Sequence, residues 1–173
     1  DDERWLSMLR DQLFSEDKLR QLIPLIKERI GVAEQFVGAT DYFFSGDIEL
    51  DPKLLKPKKR EWKELETLFD AYVAAVEKQV NYDPEHLEAF TRAFVESQEW
   101  KTRDFFMPLR IALTGRKASP PLFDVMSVLG PAGTRRRLRA AIAACKQARI
   151  EEDREKKRAA KAAKKQAQSG DQG

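Results

Sequence analysis

The stretch "MPLRIALTGRKASPPLFDVMSVLG", residues 107–130, brings a guanidinium close to a helix start. If the first half is helical, Arg110 lies about one and a half turns before Gly115 and can face the loop that follows. Its planar, permanently charged fork suits a base edge or a phosphate. Ser119 reads as the cap of a second helix, with Pro120 at its first position and Leu122 just inside. A helix N-terminus offers backbone N–H groups and partial positive charge, which suit phosphate. The same residues also read without a ligand: Arg110 as a surface ion-pair partner, Ser119 as a cap alone, Leu122 as core.

Catalytic chemistry lacks its parts. No Gly-rich phosphate loop occurs, and the single His86 excludes any site that needs two histidines. The lone Cys145, in "RAAIAACKQA", rules out an internal disulfide and a multi-cysteine zinc site, and reads as a small residue on a helix face. Glu151, Glu152 and Asp153 sit among lysines, where carboxylates are solvated. The chain alone is therefore expected not to be an enzyme, with no cofactor or metal of its own.

The elements that position these residues read as helices throughout. "ERWLSMLRDQLF" places Trp5, Met8, Leu9 and Leu13 at helical spacing, and Ser15 reads as the next N-cap. "LRQLIPLIKERI" contains Pro24, which should kink or divide its helix, and Gly31 should stop it. "VAEQFVGATDYFF" ends in Tyr42, Phe43 and Phe44, expected in the core. Gly46, Pro52 and Pro57 then break the pattern, which sets a boundary at residue 57. A long amphipathic helix follows, with Trp62, Leu65, Phe69, Tyr72, Val73, Val76 and Val80 along one side. Asp83 and Pro84 start another; a further helix closes at Gly115 in the left-handed position; Gly130 and Pro131 separate the last two. The expected fold is all-α: two small helical subdomains, 1–57 and 58–150, then a charged Lys/Ala tail, 151–173, either a frayed solvent helix or disordered.

Charge divides along the chain. Residues 1–99 carry 14 Lys+Arg against 22 Asp+Glu, and residues 100–173 carry 18 against 7, so the halves balance at −8 and +11. This split fits a C-terminal half that meets a polyanion, and equally a solvated basic tail beside an acidic surface. No run approaches the roughly 18 to 20 apolar residues of a membrane span, so no membrane partner is expected. The sequence starts at Asp1 rather than Met, which suggests trimming from a longer chain.

The segment "LRIALTGRKASPPLFDVMSVLGPAGTRRRLRAAI" resembles the C-terminal anticodon-binding region of bacterial glutamyl-tRNA synthetases, class I aminoacyl-tRNA synthetases. The matching elements are Leu109, Arg110, Ala112 to Gly115, Ser119-Pro120, Leu122-Phe123 and Leu129-Gly130. The upstream "LIPLIKERI…DYFF" is similar to that family's preceding helical subdomain, so the likeness spans about residues 10–143. The family's two-His and Lys-Ser-Lys motifs, which bind ATP in its catalytic half, do not occur in these residues.

The resemblance implies an RNA-reading fragment of a glutamate–tRNA ligase. It implies anticodon contacts for Arg110, Ser119, Pro120 and Leu122, and a third-base contact for Arg29, which would favour glutamate over glutamine tRNA. Arg116, Lys117 and Arg135 to Arg137 become candidates for RNA backbone contacts, which position without specifying. The expected partner is a glutamate-accepting tRNA, bound by a monomer in the cytoplasm, with ATP used only by the catalytic half of the intact enzyme. The chain departs from the family by running on for some 30 residues, which would add RNA affinity or serve as a spacer. Two other readings remain: a helical protein-interaction adaptor, and a general basic RNA binder indifferent to sequence.

Overall fold

The computed structural model describes residues 2–4 and 16–169, with side chains through Lys161. Its helices are α1 (Glu16–Ile26), α2 (Gln35–Phe44), α3 (Pro52–Leu55), α4 (Trp62–Val76), α5 (Pro84–Ser97), α6 (Thr102–Thr114) and α7 (Leu122–Ser169). No strand occurs among the described residues, as the all-α expectation required. The first expected helix, with Trp5, Met8, Leu9 and Leu13, and the Ser15 cap lie outside the described residues.

Local rules explain most boundaries. The Asp51 carboxylate accepts from the Lys53 N–H at 2.9 Å and starts α3, with Pro52 at the first position. Before α4, the Glu64 carboxylate reaches back to the Glu61 N–H at 2.7 Å, the reciprocal bond of a capping box. Asp83 stands at the cap of α5 and Pro84 inside it, although the Asp83 side chain makes no capping bond.

Two boundaries differ from the sequence expectation, and the tail takes the helical of its two expected forms. α1 ends at Ile26, two residues after Pro24, and the chain turns over residues 27–29 before Gly31 is reached. α4 ends at Val76, so Val80 leaves the apolar stripe and is 100% exposed. The last segment is a helix to Ser169, held at the start of the tail by Arg149 on Glu66 at 3.0 Å and Lys56 on Glu152 at 3.1 Å. Hydrogen bonds from Lys156 and then Lys56 hold the Glu152 carboxyl down at about 2.

The core forms where the apolar faces of α4, α5 and α6 meet α7. Phe69, Tyr72, Phe94 and Phe105 pack edge-on or tilted within it, and the buried Tyr72 hydroxyl meets Thr91 Oγ1 at 2.8 Å. Leu22, Tyr42, Phe43 and Leu55 join the same cluster from α1, α2 and α3, as does Cys145 from α7. Tyr42 and Phe43 are thus core residues, as expected.

Two glycines carry backbone that other residues resist. Gly115 closes α6 at φ 71°, where an added Cβ would stand 2.9 Å from the Glu49 carbonyl oxygen. Gly130 breaks α7 at φ 67°, ψ 179°, a region that glycine almost alone adopts, yet a Cβ there would meet nothing. Both Gly→Ala variants should lose about 1–2 kcal/mol from backbone strain. Gly115→Ala should lose more, because its Cβ also collides; urea unfolding measures the difference.

Burial pushes the Cys145 thiol up to about 12 from 9.0 and the Tyr42 phenol up to about 12 from 10.0. Both groups stay protonated in the fold while the unfolded chain releases its protons first. Stability should therefore fall as pH rises from about 9 to 12, by up to about 1.4 kcal/mol per pH unit for each group while it titrates. Urea midpoints at pH 8 through 10, below the range in which the lowered Arg137 guanidinium acts in the opposite sense, test this; a flat profile would contradict it.

Candidate nucleic-acid interface

The loop between α6 and α7 is built around Arg110. Gly115 ends α6 with its N–H on the Ile111 carbonyl at 2.7 Å, and the Thr114 hydroxyl donates to the Arg110 carbonyl at 2.8 Å. The same hydroxyl oxygen accepts from the Arg116 N–H at 3.1 Å, which sets the first step of the loop. At the far end, Arg110 Nη1 donates to Ser119 Oγ and to the Pro120 carbonyl oxygen, the latter at 2.7 Å. The Ser119 hydroxyl in turn donates to the Pro120 carbonyl at 2.9 Å.

These bonds correct the expected cap. The first bond into α7 runs from the Val125 N–H to the Pro121 carbonyl at 3.1 Å, so Pro121 stands at the helix boundary and Ser119 precedes it. The Ser119 hydroxyl serves the arginine instead of the helix. Ser119 is half-buried, Pro120 is buried and Pro121 is exposed, while the Leu122 side chain is 4% exposed.

Only one guanidinium nitrogen of Arg110 is spent on the loop. Nε and Nη2 have no hydrogen-bond acceptor among the described residues, and the side chain borders two open grooves. One groove, about 750 Å³, runs along Phe106, Pro121, Leu122 and Phe123, with Asp83, Glu85, Glu88 and Asp124 also lining it. The other, about 720 Å³, extends towards α3. Burial, and then the nearby charge of Arg29, lower the Arg110 guanidinium from its ordinary value.

Arg29 lies in the exposed turn after α1, and its charge acts on Arg110 from that distant stretch of sequence. Tyr42 lies in the electrostatic reach of Arg116, Asp41, Arg29 and Arg110, a corner of three guanidiniums and one carboxylate. Its hydroxyl is buried without a hydrogen-bond partner. Arg116 is held within this corner: its guanidinium grips Asp41 at 2.8 and 2.7 Å, donates to the Gly38 carbonyl at 2.7 Å, and lies 5.4 Å from the Tyr42 ring centre. Lys117 is exposed on the same loop. Sequence pattern marked Tyr42 as core and gave no sign of Asp41, because their partners come from the other half of the chain.

The "RRR" run divides by its helical face. Arg135 and Arg136 are exposed and face Glu77 at 3.8 Å and Asp47 at 4.0 Å. Arg137 is 2% exposed and donates to the carbonyls of Leu113, Tyr42 and Ser45. That burial overturns its expected role as a backbone contact, since no phosphate can reach it. Burial first, then Arg136, draw the Arg137 guanidinium down to about 10. His86 bonds Gln79 at 3.0 Å near the start of α5, and no cluster of three His, Cys, Asp or Glu suited to a metal occurs among the described residues. No described helix is long and apolar enough to cross a membrane.

A family model for the anticodon binding domain matches residues 3–142. The chain belongs to that family. This anticodon-binding domain is 32% identical over 133 residues to a glutamate–tRNA ligase of Herpetosiphon aurantiacus, covering 77% of this chain and 27% of the relative. It is 39% identical over 127 residues to one of Roseiflexus castenholzii, covering 72% and 24%. It therefore spans about a quarter of the length of these relatives. The crystal structure of a glutamate tRNA ligase from Elizabethkingia meningosepticum, in complex with its amino acid, shares the fold with a TM-score of 0.68 at 22% identity, over 82% of this chain and 28% of that one.

In the anticodon-binding domain, Arg137 joins α7 to the ends of α2 and α6. Arg137→Met should cost about 2–3 kcal/mol, because it removes a charged donor and strands buried carbonyls. Chemical denaturation checks this, and a loss below half a kcal/mol, the usual scatter of surface substitutions, would show the clamp to be unimportant.

Proposed function

We propose that this anticodon-binding domain reads the anticodon of glutamate tRNA as part of a glutamate–tRNA ligase. Arg110 carries the reading. One nitrogen is fixed by Ser119 and Pro120, which holds the plane of the fork, while the remaining N–H groups border open grooves. A donor pair held in that way can satisfy two acceptors on a base edge, with little entropy left to lose on binding. Single-stranded RNA is recognised through such unstacked bases. The exposed turn bearing Arg29 adds a second donor for the third base, favouring glutamate over glutamine tRNA. Ser119 and Pro120 act by orienting Arg110, and Leu122 supplies the apolar wall of the groove. Lys117, exposed on the loop after α6, is left for contact to the RNA backbone.

The chain performs no catalytic step in this scheme. Activation of glutamate with ATP and its transfer to tRNA belong to the remaining three quarters of such an enzyme, working as a monomer in the cytoplasm. The likeness to glutamate–tRNA ligases supports the choice of tRNA.

Anticodon stem-loops of glutamate tRNA with one base exchanged at a time provide the test. The cognate loop should bind most tightly. Arg110→Lys, which keeps the charge but loses the fork, should weaken it by about 1–3 kcal/mol, a size borrowed from bidentate base readout in DNA. Equal affinity for every loop would remove the proposal and leave a general RNA binder or a protein adaptor.

A further inference from the structure

We infer that the groove bordered by Lys58, Lys59, Lys101 and Arg103 is a track for the phosphodiester backbone of the RNA strand whose base reaches Arg110. The inference rests on the anticodon reading above and adds the path of the strand.

Charge pairing separates these four cations from the arginines of the neighbouring helices, and a shared groove sets them apart from other unpaired cations. Arg116, Arg135, Arg136, Arg139 and Arg149 each have a carboxylate oxygen within 4.0 Å. Lys58, Lys59, Lys101 and Arg103 are exposed, and none forms an ion pair among the described residues. They come from two places: the α3–α4 linker and the start of α6. The fold gathers them along one groove of about 720 Å³ that ends at Arg110, with Asp104 as its one carboxylate. Lys56 lies there too, but it is engaged by Glu152 at 3.1 Å and Glu61 at 3.7 Å. Gathered like charges repel one another in the free protein, and a polyanion relieves that repulsion.

The opposite sign of the neighbouring groove gives the track its direction. Arg110 and Phe106 line both grooves and so stand on the ridge between them. Beyond the ridge, Asp83, Glu85, Glu88 and Asp124 outnumber Arg92, and a phosphate there would meet repulsion. A strand that offers a base to Arg110 therefore lays its phosphates on the lysine side. Met107, 44% exposed, and Phe106 give the basic groove an apolar floor against which a ribose or a base face can rest. Contacts of this kind position the strand and carry no sequence information.

The experiment uses the full chain and a labelled glutamate-tRNA anticodon stem-loop, titrated between 50 and 300 mM salt. Each phosphate neutralised on a single strand contributes about −0.7 to the slope of log affinity against log salt. The variant K58Q/K59Q/K101Q/R103Q should have a slope shallower by about 2–3, with the preference for the cognate loop unchanged. The pair K101Q/R103Q should give about half that change, and R135Q/R136Q/R139Q should give none. Circular dichroism and urea midpoints confirm that each variant folds. If the wild type discriminates among loops while the fourfold variant keeps its slope, the track is wrong and the anticodon reading stands. If the wild type binds no loop, or all alike, both are overturned. Displacement by poly-glutamate as effective as by RNA would make the groove a general polyanion surface, and would also overturn the track.

Discussion

Arg137 sets the shape of the corner on which the functional reading depends. Its guanidinium, buried on α7, donates to the carbonyl of Leu113 in the last turn of α6 and to those of Tyr42 and Ser45 at the end of α2. Helix ends carry unpaired carbonyls and partial negative charge, so a buried cation between two of them is favourably placed. The bond fixes where α6 stops relative to α2, and hence where Gly115 and the following loop begin. Arg116, on that loop, repeats the link at the surface by gripping Asp41 and the Gly38 carbonyl. Two arginines thus join the acidic and basic halves of the chain, and Arg110 projects from the rigid piece that results.

The corner is rigid in backbone and only partly satisfied in side chain. Arg110 meets Ser119 and Pro120 through a single nitrogen and keeps further donors for another acceptor. Most other arginines near α7 are matched to carboxylates, and the matching sorts cations that hold the fold together from those that remain for a polyanion. Net charge conceals this distinction. The +11 of residues 100–173 marks the correct half, yet the unpaired groove draws Lys58 and Lys59 from the half that sums to −8.

The division between fold and function follows from range. Capping signals, proline positions and the apolar stripe of α4 act within one or two turns, and they fixed the helices to within a few residues. α4 stopped before Val80, and at the start of α7 a tertiary competitor won, because Ser119 gave its hydroxyl to Arg110 instead of capping the helix. Arg137 was indistinguishable from Arg135 and Arg136 in sequence, because helical phase relative to the core decides which of three adjacent arginines is buried.

Composition and short-range pattern alone determined that this chain is all-helical, that a left-handed glycine ends the helix bearing Arg110, and that a second helix follows a proline pair. They did so because hydrogen bonds and steric limits within a single turn are written in adjacent residues. Which charges face each other, that Arg29 comes within electrostatic reach of Arg110, and that one groove is basic while its neighbour is acidic, were decided by the tertiary structure. Those relations join residues dozens of positions apart, and only the packing of α7 against the other helices brings them together.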